Sequence, residues 1–197
     1  MKRPFLLGLT GSIGMGKSTT AGLFRAEGVP VWDADNAVHR LYAPGGGAVP
    51  PMAALLPEAV RDGGVSRETI REHLARDPSL LPRIEALVHP LVAQDREAFI
   101  ATATTDIVVL DIPLLFEKGT EGSLDATLLV TAPASLQRAR VLARPGMTEA
   151  HFATLLARQM PDAEKRRRAT HIVETLDLTS VTAYVRALLS HIRAENA

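Results

Sequence analysis

Between Gly11 and Ser18 the chain reads Gly-Ser-Ile-Gly-Met-Gly-Lys-Ser, which satisfies the pattern G-x-x-x-x-G-K-[S/T]. The apolar run "FLLGLT" (5–10) precedes it, and the helix-like segment "KSTTAGLFRAEG" follows. Strand, glycine corner and helix in this order leave few folds open, because the corner needs a buried strand behind it and the open end of a helix in front. Glycine lets the backbone turn where a side chain would clash, so that successive N–H groups point inward at an anion. The positive end of the helix dipole faces the same anion. In such a loop Lys17 brings a point charge to the β- and γ-phosphates of a nucleotide, and the Ser18 hydroxyl is a ligand for Mg²⁺. The predicted nucleotide-binding residues are Gly11, Gly14, Met15, Gly16, Lys17, Ser18 and Thr19.

The rest of the chain alternates in the manner of an α/β protein. Apolar runs at 5–10, 29–32, 107–112 and 126–132, with a weaker one at 171–175, read as strands. Their Val, Ile and Leu content lacks strict alternation, which suits a parallel sheet covered on both faces. Helical patterns follow at about 17–27, 34–42, 134–143 and 179–194. The expectation is a doubly wound parallel five-stranded sheet of the P-loop NTPase type. Two intervals break the rhythm. From about 43 to 105 a turn cluster, "APGGGAVPP", leads into helix-like pieces near 52–56, 66–75 and 79–104 with no convincing strand, a helical insertion suited to a substrate lobe. From about 140 to 168 a Pro145-Gly146 break precedes a helix with Thr148 as its expected N-cap, then a charged stretch.

Composition narrows the partners. Lys plus Arg and Asp plus Glu balance at 22 each, so no net field draws the chain to nucleic acid or an anionic membrane. Aromatic residues are 4% of the chain, too few for base-stacking platforms. The basic run "EKRRRA" (164–169) accordingly reads as a solvated face. With no cysteine, thiolate chemistry and disulfides are excluded. The apolar run from Phe5 to Leu9 is too short for a signal sequence, and no run approaches a membrane span, so a cytoplasmic protein is expected. The Asn-Lys-x-Asp element that reads guanine in Ras-type GTPases does not occur: neither Asn36 nor Asn196 precedes a lysine, and ATP is the expected nucleotide.

A pair of carboxylates, Asp33 and Asp35, follows the second strand in "VPVWDADNAVHRL". In a parallel sheet ligands bind at the carboxyl ends of the strands, so these acids belong at the phosphate-loop rim. Asp33 is the better helix cap. Asp35 is then left as the base that accepts a proton from an attacking hydroxyl. Asp111, ending another strand at the same rim, is suited to assist Mg²⁺ through water.

Taken together, "GLTGSIGMGKST", "VWDADNAVHRL", "VHPLV" (88–92), "LDIPLLFEKG" (110–119) and "ARQM" (157–160) resemble the dephospho-coenzyme A kinase family over essentially the whole chain. The resemblance implies ATP-dependent phosphorylation of the ribose 3′-hydroxyl of dephospho-coenzyme A. It also implies a nucleotide core (about 1–42, 105–139 and 169–197), a helical substrate lobe (about 43–104) and a small helical lid (about 140–168). Within it Asp35 matches the family's proposed base, His89 and Pro90 its His-Pro motif, and Pro113, Leu114, Leu115 and Glu117 its Pro-Leu-Leu-x-Glu segment. Asp33, His89, Pro113, Leu114 and Glu117 are thereby expected on the substrate side. Arg140 and Arg144, four apart and so expected on one helical face, match the lid arginines that surround the transferring phosphoryl group.

Two departures from the family pattern stand out. Its late Ala-Asp-x-Val-Ile-x-Asn element appears here as "ATHIVET" (169–175), with Thr170 and Thr175 replacing the acid and the amide. Near Gln159 the arginine expected four residues earlier is Leu155, while Arg158 adjoins the glutamine. Without the resemblance, the residues alone also admit another small-acceptor kinase of nucleoside, nucleotide or shikimate type, or an ATP-binding switch.

Overall fold

The structure, a computed structural model, describes residues 3–196. Its helices and strands in chain order are β1 (Phe5–Thr10), α1 (Lys17–Ala26), β2 (Val31–Asp33), α2 (Ala34–Tyr42), α3 (Val49–Leu55), β3 (Val60–Arg61), β4 (Gly64–Val65), α4 (Arg67–Arg76), α5 (Leu80–Thr102), β5 (Ile107–Asp111), β6 (Ala126–Thr131), α6 (Ala134–Leu142), α7 (Glu149–Ala157), α8 (Asp162–Arg168), β7 (His171–Glu174) and α9 (Leu178–Asn196). They form two compact units, one from the chain up to Trp32 and from Ala103 onward, the other Asp33–Thr102.

In the first unit the strands order as β2-β5-β1-β6-β7. β1 runs parallel to β5 and β6, and β6 parallel to β7. Every residue of β5 and β6 is buried, which is why these strands are apolar without alternation. On α9 the buried residues Val181, Val185, Leu188, Leu189 and Ile192 recur at helical spacing and meet Phe24 of α1 and the sheet residues Leu7, Leu9 and Leu128. Each large side chain so buried contributes roughly 1.5–3 kcal/mol. The register pairs Leu9 with Asp111, Thr10 with Leu129 and Thr131 with Glu174, so the carboxyl ends of four strands make one edge.

The second strand is shorter and later than its apolar run implies. Val29 N–H closes the turn that ends α1, donating to Phe24 O at 3.0 Å, and Pro30 has no N–H to offer a ladder. Pro30 O nevertheless accepts from Val109 N at 3.0 Å, joining this edge to β5.

The second unit has its own apolar cluster, Met52, Leu56, Ala59, Val65, Ile70, Ile84 and Val88. Val38 and Tyr42 of α2 pack against it, so this helix, expected with the nucleotide core, belongs to the 33–102 unit. A strand does occur here, contrary to expectation: β3 and β4 pair antiparallel through Asp62 (φ 51°) and Gly63 (φ 75°). Asp-Gly with both residues left-handed is a hairpin turn, and strands of two residues are too short to show alternation. α3 also starts earlier than expected, at Val49, because Pro50 and Pro51 occupy the first turn, where a missing N–H is harmless.

Candidate active site

The edge made by β1, β5, β6 and β7 carries the glycine corner. Gly11 and Ser12 are buried beyond β1, and α1 starts at Lys17 with Gly16 as its N-cap. Gly14 (φ 76°) and Gly16 (φ 88°) take left-handed conformations that other residues adopt only with strain. Close approach adds to this: a Cβ on Gly14 would lie 2.5 Å from Val141 Cγ2, and one on Gly16 would lie 2.9 Å from Thr175 Oγ1. Met15 is buried, whereas Ser18 and Thr19 are exposed in the first turn of α1.

Side chains distant in sequence pin this loop. Gln137, buried on α6, donates from Nε2 to Ile13 O at 2.8 Å, and Ile13 N–H donates to Gln159 Oε1 at 3.1 Å. Thr175, 6% exposed just beyond β7, donates from Oγ1 to Met15 O at 2.8 Å. The same hydroxyl accepts from Arg140 Nη1 at 2.9 Å, and Thr175 O accepts from Arg140 Nη2 at 2.6 Å. Sequence reasoning had placed Thr175 only as a departure, and Gln137 escaped it. Nothing in the sequence around Gln137 marks it; its burial beside Val141 appears only in the structure.

Arg140 and Arg144 do not share a helical face. α6 stops at Leu142, and Arg144 N closes its end onto Val141 O at 3.1 Å. Pro145 disfavours helical conformation in the residue before it, so the helix ends ahead of Arg144. Arg144 is exposed. Beyond the break, Thr148 caps α7 as expected, its Oγ1 accepting from His151 N.

Lys17 Nζ is 2.5 Å from Oδ1 of Asp111, which is 2% exposed at the end of β5. After β5, Pro113 O accepts from Thr10 Oγ1, Leu114 is exposed, and Leu115 and Phe116 are buried. Glu117 Oε1 accepts from Met160 N at 2.9 Å and lies 2.8 Å from Lys165 Nζ. Burial pushes the Glu117 pKa up, but the Lys165 ammonium and the Met160 N–H outweigh it and hold the carboxyl below its ordinary range. Lys165 is 0% exposed, the reverse of the solvated face expected for 164–169. In the same run Arg166 pairs with Asp162 and Glu174, and Arg168 pairs with Glu121 and lies over the Phe116 ring. Lys165 and Arg168 meet carboxylates distant in sequence, and Arg166 meets Asp162 on its own helix and Glu174 of β7, pairings that a compositional reading does not see.

In the 33–102 unit the acidic pair divides its labour. Asp33 Oδ1 accepts from Asn36 N at 2.9 Å and so caps α2. Asp35 is exposed in the first turn, where helix polarity favours a negative charge, and its carboxylate makes no hydrogen bond or ion pair with other described residues. Its backbone carbonyl accepts from Arg67, whose guanidinium lies over the Tyr42 ring. His89 is exposed on α5, which runs unbroken through Pro90, and its Nε2 is 3.8 Å from Glu85.

A parallel sheet with a left-handed glycine loop, a lysine beside a strand-end aspartate and an arginine tied to the loop through Thr175 defines a P-loop nucleotide-binding protein. The family model for dephospho-CoA kinase matches residues 5–178. The chain belongs to the dephospho-CoA kinase family. It is 70% identical over 191 residues to the dephospho-CoA kinase of Cereibacter sphaeroides, covering 97% of both chains. Among solved structures it is similar to TT1252 from Thermus thermophilus, with a TM-score of 0.85 and 38% identity over 96% of this chain and 98% of that one. The dephospho-CoA kinase from Campylobacter jejuni shares the fold, with a TM-score of 0.71 at 21% identity and 98% coverage of both chains.

Proposed function

We propose that this chain transfers the γ-phosphoryl group of ATP to the ribose 3′-hydroxyl of dephospho-coenzyme A, giving coenzyme A and ADP. The observation that carries this reading is a kinase phosphate loop at the strand edge of a chain that relatives named dephospho-CoA kinase match nearly end to end. The amides from Gly14 to Thr19 cradle the phosphates, and Lys17 leaves Asp111 partly or wholly to meet the β- and γ-oxygens. Arg140 and Arg144 take up charge on the transferring group. Asp35 receives the proton of the attacking hydroxyl, a role its unengaged carboxylate supports. Asp33 holds the turn that presents it.

For Mg²⁺, the described residues contain no group of three His, Asp or Glu side chains able to cage an ion. The Ser18 hydroxyl and the Asp111 carboxylate fit a cation that would keep most of its waters and arrive on nucleotide oxygens. Ser18 would hold it directly and Asp111 through water. When bound, it supplies neutralisation of charge between the β- and γ-phosphates.

We assign the 140–168 segment the role of lid, with Glu117, expected on the substrate side, as its mooring at Met160 and Gln159 as its mooring at Ile13. His89, Pro113 and Leu114 remain the candidates for the acceptor. Closure of such a segment excludes water and limits hydrolysis of ATP. Among the described residues no helix is long and apolar enough to cross a membrane.

The test is direct. Purified protein is incubated with ATP, Mg²⁺ and a panel of acceptors including dephospho-coenzyme A, adenosine, AMP and shikimate, and products are identified by mass. Conversion of dephospho-coenzyme A to coenzyme A in preference to the others is expected. Phosphorylation of another acceptor in its place overturns the reading.

A further inference from the structure

Thr175 is a branch point between two parts of the nucleotide site. Its hydroxyl lies 2.8 Å from Met15 O in the glycine loop and 3.3 Å from Thr131 O of β6, and the nearer carbonyl takes its one proton. A lone pair of the same oxygen receives Arg140 Nη1 at 2.9 Å, while the Thr175 carbonyl receives Nη2 at 2.6 Å. The oxygen is buried and packed against Gly16, with no space for a Cβ between them. Both acceptors of the guanidinium are neutral, and no carboxylate pairs with Arg140 among the described residues. The arrangement differs from the other ion-paired arginines of the first unit: Arg3, Arg138, Arg166, Arg168, Arg186 and Arg193 all meet acids. A fork bonded to two neutral oxygens is oriented without losing its charge.

We propose that Thr175 is the positioning residue that fixes Arg140 to the phosphate loop with its charge undiminished, so that a nucleoside triphosphate meets loop and arginine as one preorganised unit. The hydroxyl also accounts for the departure from the family's amide: like an amide, it can donate to the loop carbonyl and accept from the arginine through one side chain. This inference rests on the assignment of Arg140 to ATP made above.

The test is a double-mutant cycle on the full chain, with kcat and the KM for ATP measured at saturating dephospho-coenzyme A and ATP affinity measured by titration calorimetry. Thr175→Val keeps the shape and removes the hydroxyl. It is expected to weaken ATP binding and raise KM by about tenfold, the size of one hydrogen bond to a charged group. Thr175→Ser restores the hydroxyl and is expected to recover most of the loss. In an Arg140→Ala background, Thr175→Val is expected to cost less than about threefold, because the two residues act as one unit. Thermal midpoints are recorded for each variant, and Thr175→Ala, which leaves room for a water at the Met15 carbonyl, replaces Thr175→Val if the latter does not fold. Equal losses in the Ser and Val variants, or an undiminished Val effect without Arg140, overturn the proposal. If Arg140→Ala alone leaves ATP kinetics unchanged, the assignment of Arg140 falls instead, and if wild-type protein does not phosphorylate dephospho-coenzyme A, the function itself falls.

Discussion

The phosphate loop and the acidic turn of α2 are built on opposite plans. The loop is largely buried, works through its backbone, and is pinned by Gln137, Gln159 and Thr175 from three separate stretches of the chain. The acidic turn is exposed, works through one side chain, and owes its shape to a local cap, Asp33 to Asn36. A cradle for a highly charged ligand gains from being preorganised, since donors that are already aimed need no reordering at the moment of reaction. A general base needs reach, a suitable protonation state and access for its proton donor. Rigidity is invested in the first site and accessibility in the second.

Three measurements break or sharpen this contrast. The largest effect is expected at Lys17. Lys17→Ala should lower phosphoryl transfer by about a thousandfold or more, because a charge on the transferring group loses its partner. It should also lower stability in urea unfolding, since the buried Asp111 carboxylate loses the ammonium 2.5 Å from it. Loss of activity without loss of stability would mean that Asp111 is held by other contacts.

The acidic turn should separate chemistry from folding more cleanly. Asp35→Asn is expected to lower kcat by about a hundredfold or more while ATP affinity and the thermal midpoint hold. Asp33→Ala should do the reverse in emphasis, removing a cap worth about 1 kcal/mol. Full activity in Asp35→Asn would remove it as the proton acceptor and leave the second site without its defining residue.

The smallest effect concerns the lid mooring. Because the Glu117 pKa is lowered on folding, its charge adds stability above the ordinary glutamate range, and that contribution fades as the pH falls through the lowered value. Wild-type protein should therefore unfold at higher urea than Glu117→Gln at pH 7, with the gap narrowing below about pH 4.5. A gap that stays constant with pH would trace the difference to packing rather than to the Lys165 ion pair.

What could be read in advance follows the range of the interactions involved. The glycine corner was legible because its requirements are local: turns at Gly14 and Gly16, a helix start at Lys17, a hydroxyl at Ser18. The caps at Asp33 and Thr148 were legible for the same reason, each acting across three residues. The hairpin at 60–65 was missed because two-residue strands carry no period, and the face shared by Arg140 and Arg144 was misread because Pro145 ends the helix earlier than the spacing suggests.

By itself, then, the order of residues determined that a phosphate cradle follows a buried strand, that an acid pair opens the next helix, and that a family resemblance joins them. Tertiary structure alone decided that Thr175 would close on Met15 across 160 positions, that Gln159 would reach Ile13 across 146, and that Lys165 would be buried against Glu117 instead of lying in water. The reason is physical. A turn or a cap is selected by the conformational preferences of adjacent residues, whereas a buried polar contact exists only once packing has brought two distant groups together and removed the water from both.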